Sequence, residues 1–193
     1  MMLVPIIGYQ ASGRTTIFEE ILRRVSETTE IHFSPGSARI EAWVGTYKAR
    51  GRSRPIILLR DAGPAHELLF QIHKYNKLGG DAIIVFEWPP TLEAYKRVDI
   101  GLRNARWLLA HVNTPMTNCA NRIALRTLQA KHPKTFEAAG FAKKCAVFDK
   151  QLAGLLKEYR DIRVCDLAHG LPTAAAISKL FQYIDTSLAL IKT

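Results

Sequence analysis

A short loop between two apolar segments constrains this chain more than any other feature of the sequence. Residues 8–13 separate the apolar run 3–7 from an amphipathic run over 17–25. Gly8 and Gly13, at its two ends, let backbone N–H groups converge on an anion, and the N-terminus of the following helix adds the positive end of its dipole. The spacing fits G-x-x-x-x-G-K-[ST], except that Arg14 replaces the lysine. The segment therefore predicts a strand, a phosphate-binding loop and a helix.

The same segment supplies most of the predicted ligand-binding groups. The Thr15 hydroxyl is the expected Mg²⁺ contact. An arginine neutralises phosphate, although its planar bulk fits poorly where a slender ammonium normally threads to the phosphate oxygens. The predicted nucleotide-binding residues in this segment are Gly8, Ser12, Gly13, Arg14, Thr15 and Thr16.

Composition indicates one globular domain spanning 1–193. Hydrophobic residues make up 48% of the chain and charged residues 23%, which is typical of globular proteins. No apolar run approaches the roughly 18 residues of a membrane span, and no secretory leader is visible. The three cysteines (Cys119, Cys145 and Cys165) are scattered and odd in number, which argues against a disulfide framework. We therefore expect a cytoplasmic protein.

The net charge is strongly positive. The chain has 27 Lys and Arg against 17 Asp and Glu, a formal charge of +10, which favours an acidic partner such as nucleic acid or an anionic surface. Lys48, Arg50, Arg52 and Arg54 recur at every second position around a predicted hairpin turn. They would share one face if strand geometry persisted, and a turn at Gly51 would splay them. An anion-binding surface and an ordinary solvated hairpin tip are the two alternatives here.

The order of apolar and amphipathic segments predicts the fold class. Short apolar strands alternate with helical segments, apart from one predicted hairpin between the second and third strands. The predicted strands lie near 3–7, 38–47, 55–59, 81–86, 106–112 and 161–165. Such alternation is typical of a mostly parallel sheet with helices on both faces. The sequence therefore predicts a three-layer α/β domain with a six-stranded sheet and one antiparallel strand.

This loop and this strand order resemble the small P-loop GTPases of the Ras and Arf type over nearly the whole chain. After its third strand that family has Asp-x-x-Gly-Gln. The aspartate holds the water shell of Mg²⁺, the glycine amide senses the γ-phosphate, and the glutamine positions the attacking water. Here Gly63 matches the glycine, Arg60 stands at the aspartate, and Pro64 stands at the glutamine. Asp61 lies one residue late, and it is the candidate metal ligand and the candidate catalytic residue.

The later motifs of that family are partly retained. Asn113 matches the first residue of Asn-Lys-x-Asp, but the lysine and the guanine-reading aspartate are missing. Ala168, in Leu167-Ala168-His169, stands where the family has Ser-Ala-Lys. The resemblance thus implies GTP or GDP with Mg²⁺ on Thr15 and Asp61, with Gly63, Asn113 and Ala168 at the nucleotide.

Three functions are compatible with these residues. The first is a pseudo-GTPase or slow nucleotide binder that regulates or scaffolds another protein through switch-like surfaces 27–36 and 64–73; efficient GTP hydrolysis is not expected. The second is a working, divergent P-loop NTPase or nucleotide kinase, with Asp61 as a shifted metal carboxylate and Arg14 in the lysine role. The third is an anion or nucleic-acid binder that uses residues 48–54 and Arg60.

Overall fold

The computed structural model describes residues 1–31, 41–49, 52–60, 82–87, 93, 95–97, 105–130 and 135–189. The strands are β1 (Met2–Ile7), β2 (Ser26–Ile31), β3 (Glu41–Ala49), β4 (Arg52–Arg60), β5 (Ile83–Glu87), β6 (Arg106–Asn113) and β7 (Arg163–Ala168). The helices with described bounds are α1 (Arg14–Arg24), α2 (Met116–Leu128), α3 (Ala138–Glu158) and α4 (Thr173–Ala189).

The strands form one mixed sheet in the order β2-β3-β4-β5-β1-β6-β7. Among them β3 alone runs antiparallel, pairing with β2 on one side and β4 on the other, and the remaining pairs are parallel. The six predicted strands are all present, as β1 and β3 to β7. The sheet has β2 in addition, where the sequence analysis predicts no strand. Its sequence SETTEI contains a single aliphatic residue, and at the sheet edge it needs little apolar surface.

The neighbour of β1 decides which parts of the chain can reach the loop after it. β5 pairs with β1 in parallel, with Val4 opposite Val85, and β4 lies one strand further out. Neighbouring strands are about 4.8 Å apart, so the carboxyl end of β4 lies roughly two such spacings from β1. The small-GTPase resemblance requires the residues after β4 to meet the phosphate held by the loop after β1. The strand order gives that adjacent position to the end of β5 instead.

Helices cover both faces of the sheet, as predicted. On one face, Phe18 and Ile21 of α1 and Ile177 and Leu180 of α4 are fully buried in one hydrophobic cluster with the strands. On the other face, Leu155 of α3 belongs to a second buried cluster. β1 contributes to both clusters because its successive side chains point to opposite faces. Within the described ranges, no helix is long and apolar enough to cross a membrane.

Candidate functional site

The loop between β1 and α1 has a backbone that demands glycine. Gly8 has φ 150° and Gly13 has φ 109°, values that L side chains rarely adopt. A Cβ on Gly8 would lie 2.7 Å from the Val112 carbonyl oxygen and 2.7 Å from Ser12 Oγ. The Ser12 N–H donates to the Tyr9 carbonyl at 3.1 Å, and α1 starts immediately after Gly13. The strand, loop and helix thus follow the predicted order; phosphate binding by the loop remains a prediction.

A hydroxyl and a carboxylate meet beside this loop. Thr15, exposed at the start of α1, donates from Oγ1 to Oε2 of Glu87 at 3.4 Å. Glu87 is the last residue of β5, the strand next to β1. The sequence analysis did not identify Glu87. An acid directly after the buried run 83–86 is a usable signal for a site, because ligands of open α/β sheets bind at the carboxyl ends of the strands.

The first half of the loop is tied to α3. The Tyr9 hydroxyl donates to the Asp149 carboxylate, with its oxygen 2.7 and 2.8 Å from Oδ1 and Oδ2. Burial, and then the hydrogen bond to Asp149, raise the pKa of Tyr9 well above its ordinary range. A cavity of about 230 Å³ lies between this part of the loop and α3. Arg14 and Lys144 both line it, so two cations face the space beside the loop.

A larger cleft of about 450 Å³ lies on the other side of the loop, between α2 and the segment after β7. Arg122 of α2 donates from Nη1 to the carbonyl oxygens of Ala11 and Ser12, at 3.1 and 3.2 Å. The buried Thr114 hydroxyl donates to the Ser12 carbonyl at 2.8 Å. These bonds fix the loop backbone against the strand end of β6 and against α2.

Only some of the predicted site residues line this cleft. Ser12, Gly13, Thr16 and Ala168 all line it, while Gly8, Arg14 and Thr15 lie on the other sides of the loop. The side-chain amide of Asn113 donates to Asp166 Oδ2 at 3.4 Å, and Asn113 is not among the lining residues.

The charge of this cleft is positive. Arg122 and Arg126 line it together with His169, whose Nε2 lies 2.7 Å from Asn118 Nδ2. No aspartate or glutamate is among the described residues that line it. The cleft therefore suits an anion, and it offers no side-chain carboxylate for a guanine edge.

Two of the sequence predictions for basic residues can be compared with the geometry. Arg60 Nη2 lies 3.1 Å from Glu19 Oε1, and its guanidinium packs 5.5 Å from the Phe18 ring centroid, which favours a structural role. In the β3–β4 hairpin Lys48 pairs with Ser53, whereas Arg54 pairs with Tyr47 on the opposite face. Cross-strand partners share a face, so Lys48 lies on one face of the hairpin while Arg52 and Arg54 share the other.

Some predicted features lie outside the described residues. These are Asp61, Gly63, the surface 64–73 and the second half, 32–36, of the surface 27–36. In the part of the chain that the structure describes, no group of three His, Cys, Asp or Glu residues could hold a metal ion. The proposed roles of Asp61 and Gly63 stay predictions.

Comparison with known proteins identifies a fold but no family. No family model matches the chain, and no curated protein matches it. Among solved structures, a sugar kinase from Janibacter sp. HTCC2649 superposes with a TM-score of 0.52 at 16% identity, over 96% of this chain and 95% of that one. This chain therefore shares the fold of that sugar kinase. An identity this low shows the fold alone.

Two further solved structures are similar at lower scores. Deoxyadenosine kinase from M. mycoides with bound dATP has a TM-score of 0.48 and 11% identity, over 95% of this chain and all of that one. A gluconokinase from Sinorhizobium meliloti 1021 also has a TM-score of 0.48, with 10% identity, over 100% and 98% of the two chains. The Ras and Arf form of the resemblance is not supported, because β5 lies between β4 and β1 in the sheet.

Proposed function

We propose that this chain is a P-loop phosphotransferase that binds a nucleoside triphosphate with Mg²⁺ and transfers its terminal phosphoryl group to an acceptor hydroxyl. The observation that carries the proposal is the Thr15–Glu87 contact at the end of the strand next to β1. Hydroxyl and carboxylate oxygens are the hard donors that Mg²⁺ prefers, so the pair fits the metal. When bound, Mg²⁺ would neutralise charge on the transferring phosphate.

The loop residues hold the phosphates in this proposal. Backbone N–H groups between Gly8 and Gly13, with the N-terminus of α1, surround one anion position. Arg14 supplies the cation that the family's lysine normally supplies, and Lys144 faces the same cavity from α3. Phosphoryl transfer depends mainly on such positioning and charge neutralisation. The acceptor oxygen forms the new bond to phosphorus, the nucleoside diphosphate leaves, and the acceptor proton is released.

We infer that the base is adenine rather than guanine. Among the described residues that line the 450 Å³ cleft there is no carboxylate to accept hydrogen bonds from the guanine edge, and Leu171 and Pro172 form an apolar part of its wall. Arg122 is held by two backbone carbonyls, which fixes its guanidinium beside the cleft where it can stack on a flat ring. An adenine ring needs only apolar faces and backbone hydrogen bonds.

The substitution at Arg14 favours a second candidate, a nucleotide-binding regulator with little turnover. An arginine can bind phosphate in a fork, yet it does not follow the path of a lysine ammonium. In that case a protein partner would contact the surfaces 27–36 and 64–73. For either candidate we propose the cytoplasm, because Cys119, Cys145 and Cys165 are all free thiols.

Two measurements test the proposal. The first is calorimetry with ATP, ADP, GTP and GDP, each with Mg²⁺ and with EDTA. The second is an assay of ATP turnover with a panel of hydroxylated acceptors. We expect tighter binding of ATP than of GTP. In Glu87→Gln we expect Mg²⁺-dependent turnover to fall about 100-fold or more, while ATP binding in EDTA is retained. The control is Glu93→Gln, an exposed carboxylate that pairs with Arg97.

The outcomes separate the candidates. Nucleotide binding without turnover in the wild type supports the regulator. If Glu87→Gln turns ATP over as fast as the wild type, the assignment of Mg²⁺ to Thr15 and Glu87 is contradicted. Absence of binding by all four nucleotides contradicts both candidates.

A further inference from the structure

A third cavity, of about 740 Å³, opens at the opposite ends of the parallel strands. Its lining includes Met2, Arg106 and Arg163, which are the first residues of β1, β6 and β7. These strands are parallel, so the cavity lies at their amino ends, while the phosphate-binding loop lies at the carboxyl end of β1. Six strand residues span about 20 Å, which separates the two sites. We call this space the arginine cavity.

One wall of the arginine cavity is aromatic and well packed. The Tyr95 ring centroid lies 4.4 Å from that of Trp107 and 4.4 Å from that of Tyr159. Tyr95 and Trp107 are almost fully buried, with exposed fractions of 4% and 6%. The rings hold one another in place, so this wall is preformed, and the half-buried Tyr159 is the ring that it presents to a ligand. Preformed, partly apolar cavities of about 300–1,000 Å³ are typical of small-molecule sites.

The rim of the arginine cavity carries excess positive charge. Arg106, Arg160 and Arg163 line it against two carboxylates, Glu158 and Asp161. The Glu158 carboxylate lies 2.8 Å from Lys96 Nζ, and that ion pair already neutralises it.

The arginines of the rim are available to a ligand. Arg163 Nη1 lies 3.5 Å from the hydroxyl of the buried Ser187, a contact at the limit of a hydrogen bond. Among the described residues, neither Arg106 nor Arg160 has a side-chain ion pair or side-chain hydrogen bond. Guanidinium groups bind planar and tetrahedral oxyanions with paired hydrogen bonds.

We propose that the arginine cavity binds a small organic anion whose flat ring packs against the aromatic wall and whose phosphate or carboxylate pairs with Arg106 and Arg160. The size and the charge of the cavity support the same ligand class. The cavity has room for a molecule about as large as a nucleoside, and its arginines lie at the rim and not in the aromatic wall. The site does not depend on the phosphotransferase proposal, because it shares no residue with the loop or with its cleft.

The test uses 8-anilinonaphthalene-1-sulfonate, a fluorescent dye with flat rings and one anionic group. Fluorescence titration of the full chain should give one saturable site. The double variant Arg106→Gln/Arg160→Gln should bind the dye about tenfold or more weakly, because charge-assisted hydrogen bonds are lost. Arg160→Gln alone should give a smaller loss, and Arg122→Gln, in the other cleft, should leave the affinity unchanged. The two rim arginines are exposed, so circular dichroism should show wild-type folding.

Competition distinguishes the two anion types. Displacement by phenyl phosphate alone identifies a phosphate site, displacement by benzoate alone identifies a carboxylate site, and either result supports the proposal. Displacement by neither compound, equal affinity in the double variant, or no saturable binding would each overturn it.

Discussion

The cavities at the two ends of the parallel strands, called here the carboxyl edge and the amino edge, differ in how they are built. At the carboxyl edge a cleft of about 450 Å³ adjoins a backbone loop with two glycines and a helix N-terminus. At the amino edge the larger arginine cavity, of about 740 Å³, has no glycine among the described residues that line it. Backbone N–H groups that converge before ligand arrives make a preorganised anion site, whereas volume by itself does not. The smaller cavity therefore carries the proposed phosphotransfer chemistry.

The largest expected effect comes from a substitution in the loop at the carboxyl edge. In Gly8→Ala the new Cβ would meet the Val112 carbonyl oxygen at 2.7 Å, at a φ of 150°. We expect the free energy of unfolding to fall by about 3 kcal/mol, from backbone strain and overpacking together, and nucleotide binding to be lost. Urea denaturation followed by circular dichroism measures the first effect, and calorimetry with ATP the second.

A matched glycine supplies the control for that change. Gly154 lies inside α3, where an added Cβ meets nothing within 4 Å. Gly154→Ala should stabilise the protein by about 0.5–1 kcal/mol, because alanine is the better helix former. If Gly8→Ala unfolds at the same urea concentration as the wild type, the loop is not built as described. If the folded variant still binds 8-anilinonaphthalene-1-sulfonate, the two edges are independent.

These two edges also show what a sequence can predict. The strand, loop and helix around Gly8 and Gly13 are contiguous, so their spacing alone predicts the backbone that the structure contains. The carboxylate of Glu87 joins Thr15 only because β5 lies between β4 and β1, and that is a fact of strand order. The sequence pattern predicts which segments are strands and leaves their order in the sheet open.

The remaining differences have equally physical causes. β2 was not predicted because an edge strand can be polar on both sides, and SETTEI has no alternating apolar pattern. The arginine cavity gave no signal because Tyr95, Trp107, Arg160 and Ser187 come from four separate parts of the chain. No local motif marks a site whose residues meet only through packing.

A smaller change sharpens the comparison at the carboxyl edge. Arg122→Ala removes the guanidinium that donates to the Ala11 and Ser12 carbonyls and lines the cleft. We expect ATP to bind about tenfold more weakly, which corresponds to about 1.4 kcal/mol, because a charged hydrogen-bond donor is lost. Calorimetry of ATP binding measures the change, with Lys157→Ala at the far end of α3 as the control. Unchanged ATP affinity in Arg122→Ala would place the nucleotide elsewhere.

The smallest predicted effect concerns His111, near the carboxyl end of β6. Burial against Phe148 lowers the pKa of His111 below its ordinary value, and this outweighs the opposing effect of two carboxylates, Asp166 on β7 and Asp149 on α3. The nearer of these, Asp166 Oδ1, lies 3.8 Å from Nδ1. The folded protein therefore resists protonation of a ring that the unfolded chain protonates near pH 6.5.

That difference makes stability depend on pH in a defined direction. Below about pH 6.5 the unfolded state binds more protons than the folded state, so the free energy of unfolding falls as the pH drops and is fully retained above that value. The loss approaches about 1.4 kcal/mol for each pKa unit between the two states. Urea denaturation at pH 7.5 and 5.5 should show a smaller drop for His111→Gln than for the wild type, by about 1 kcal/mol or less. An equal drop in the two proteins would mean that His111 is protonated in the folded state as easily as in the unfolded chain.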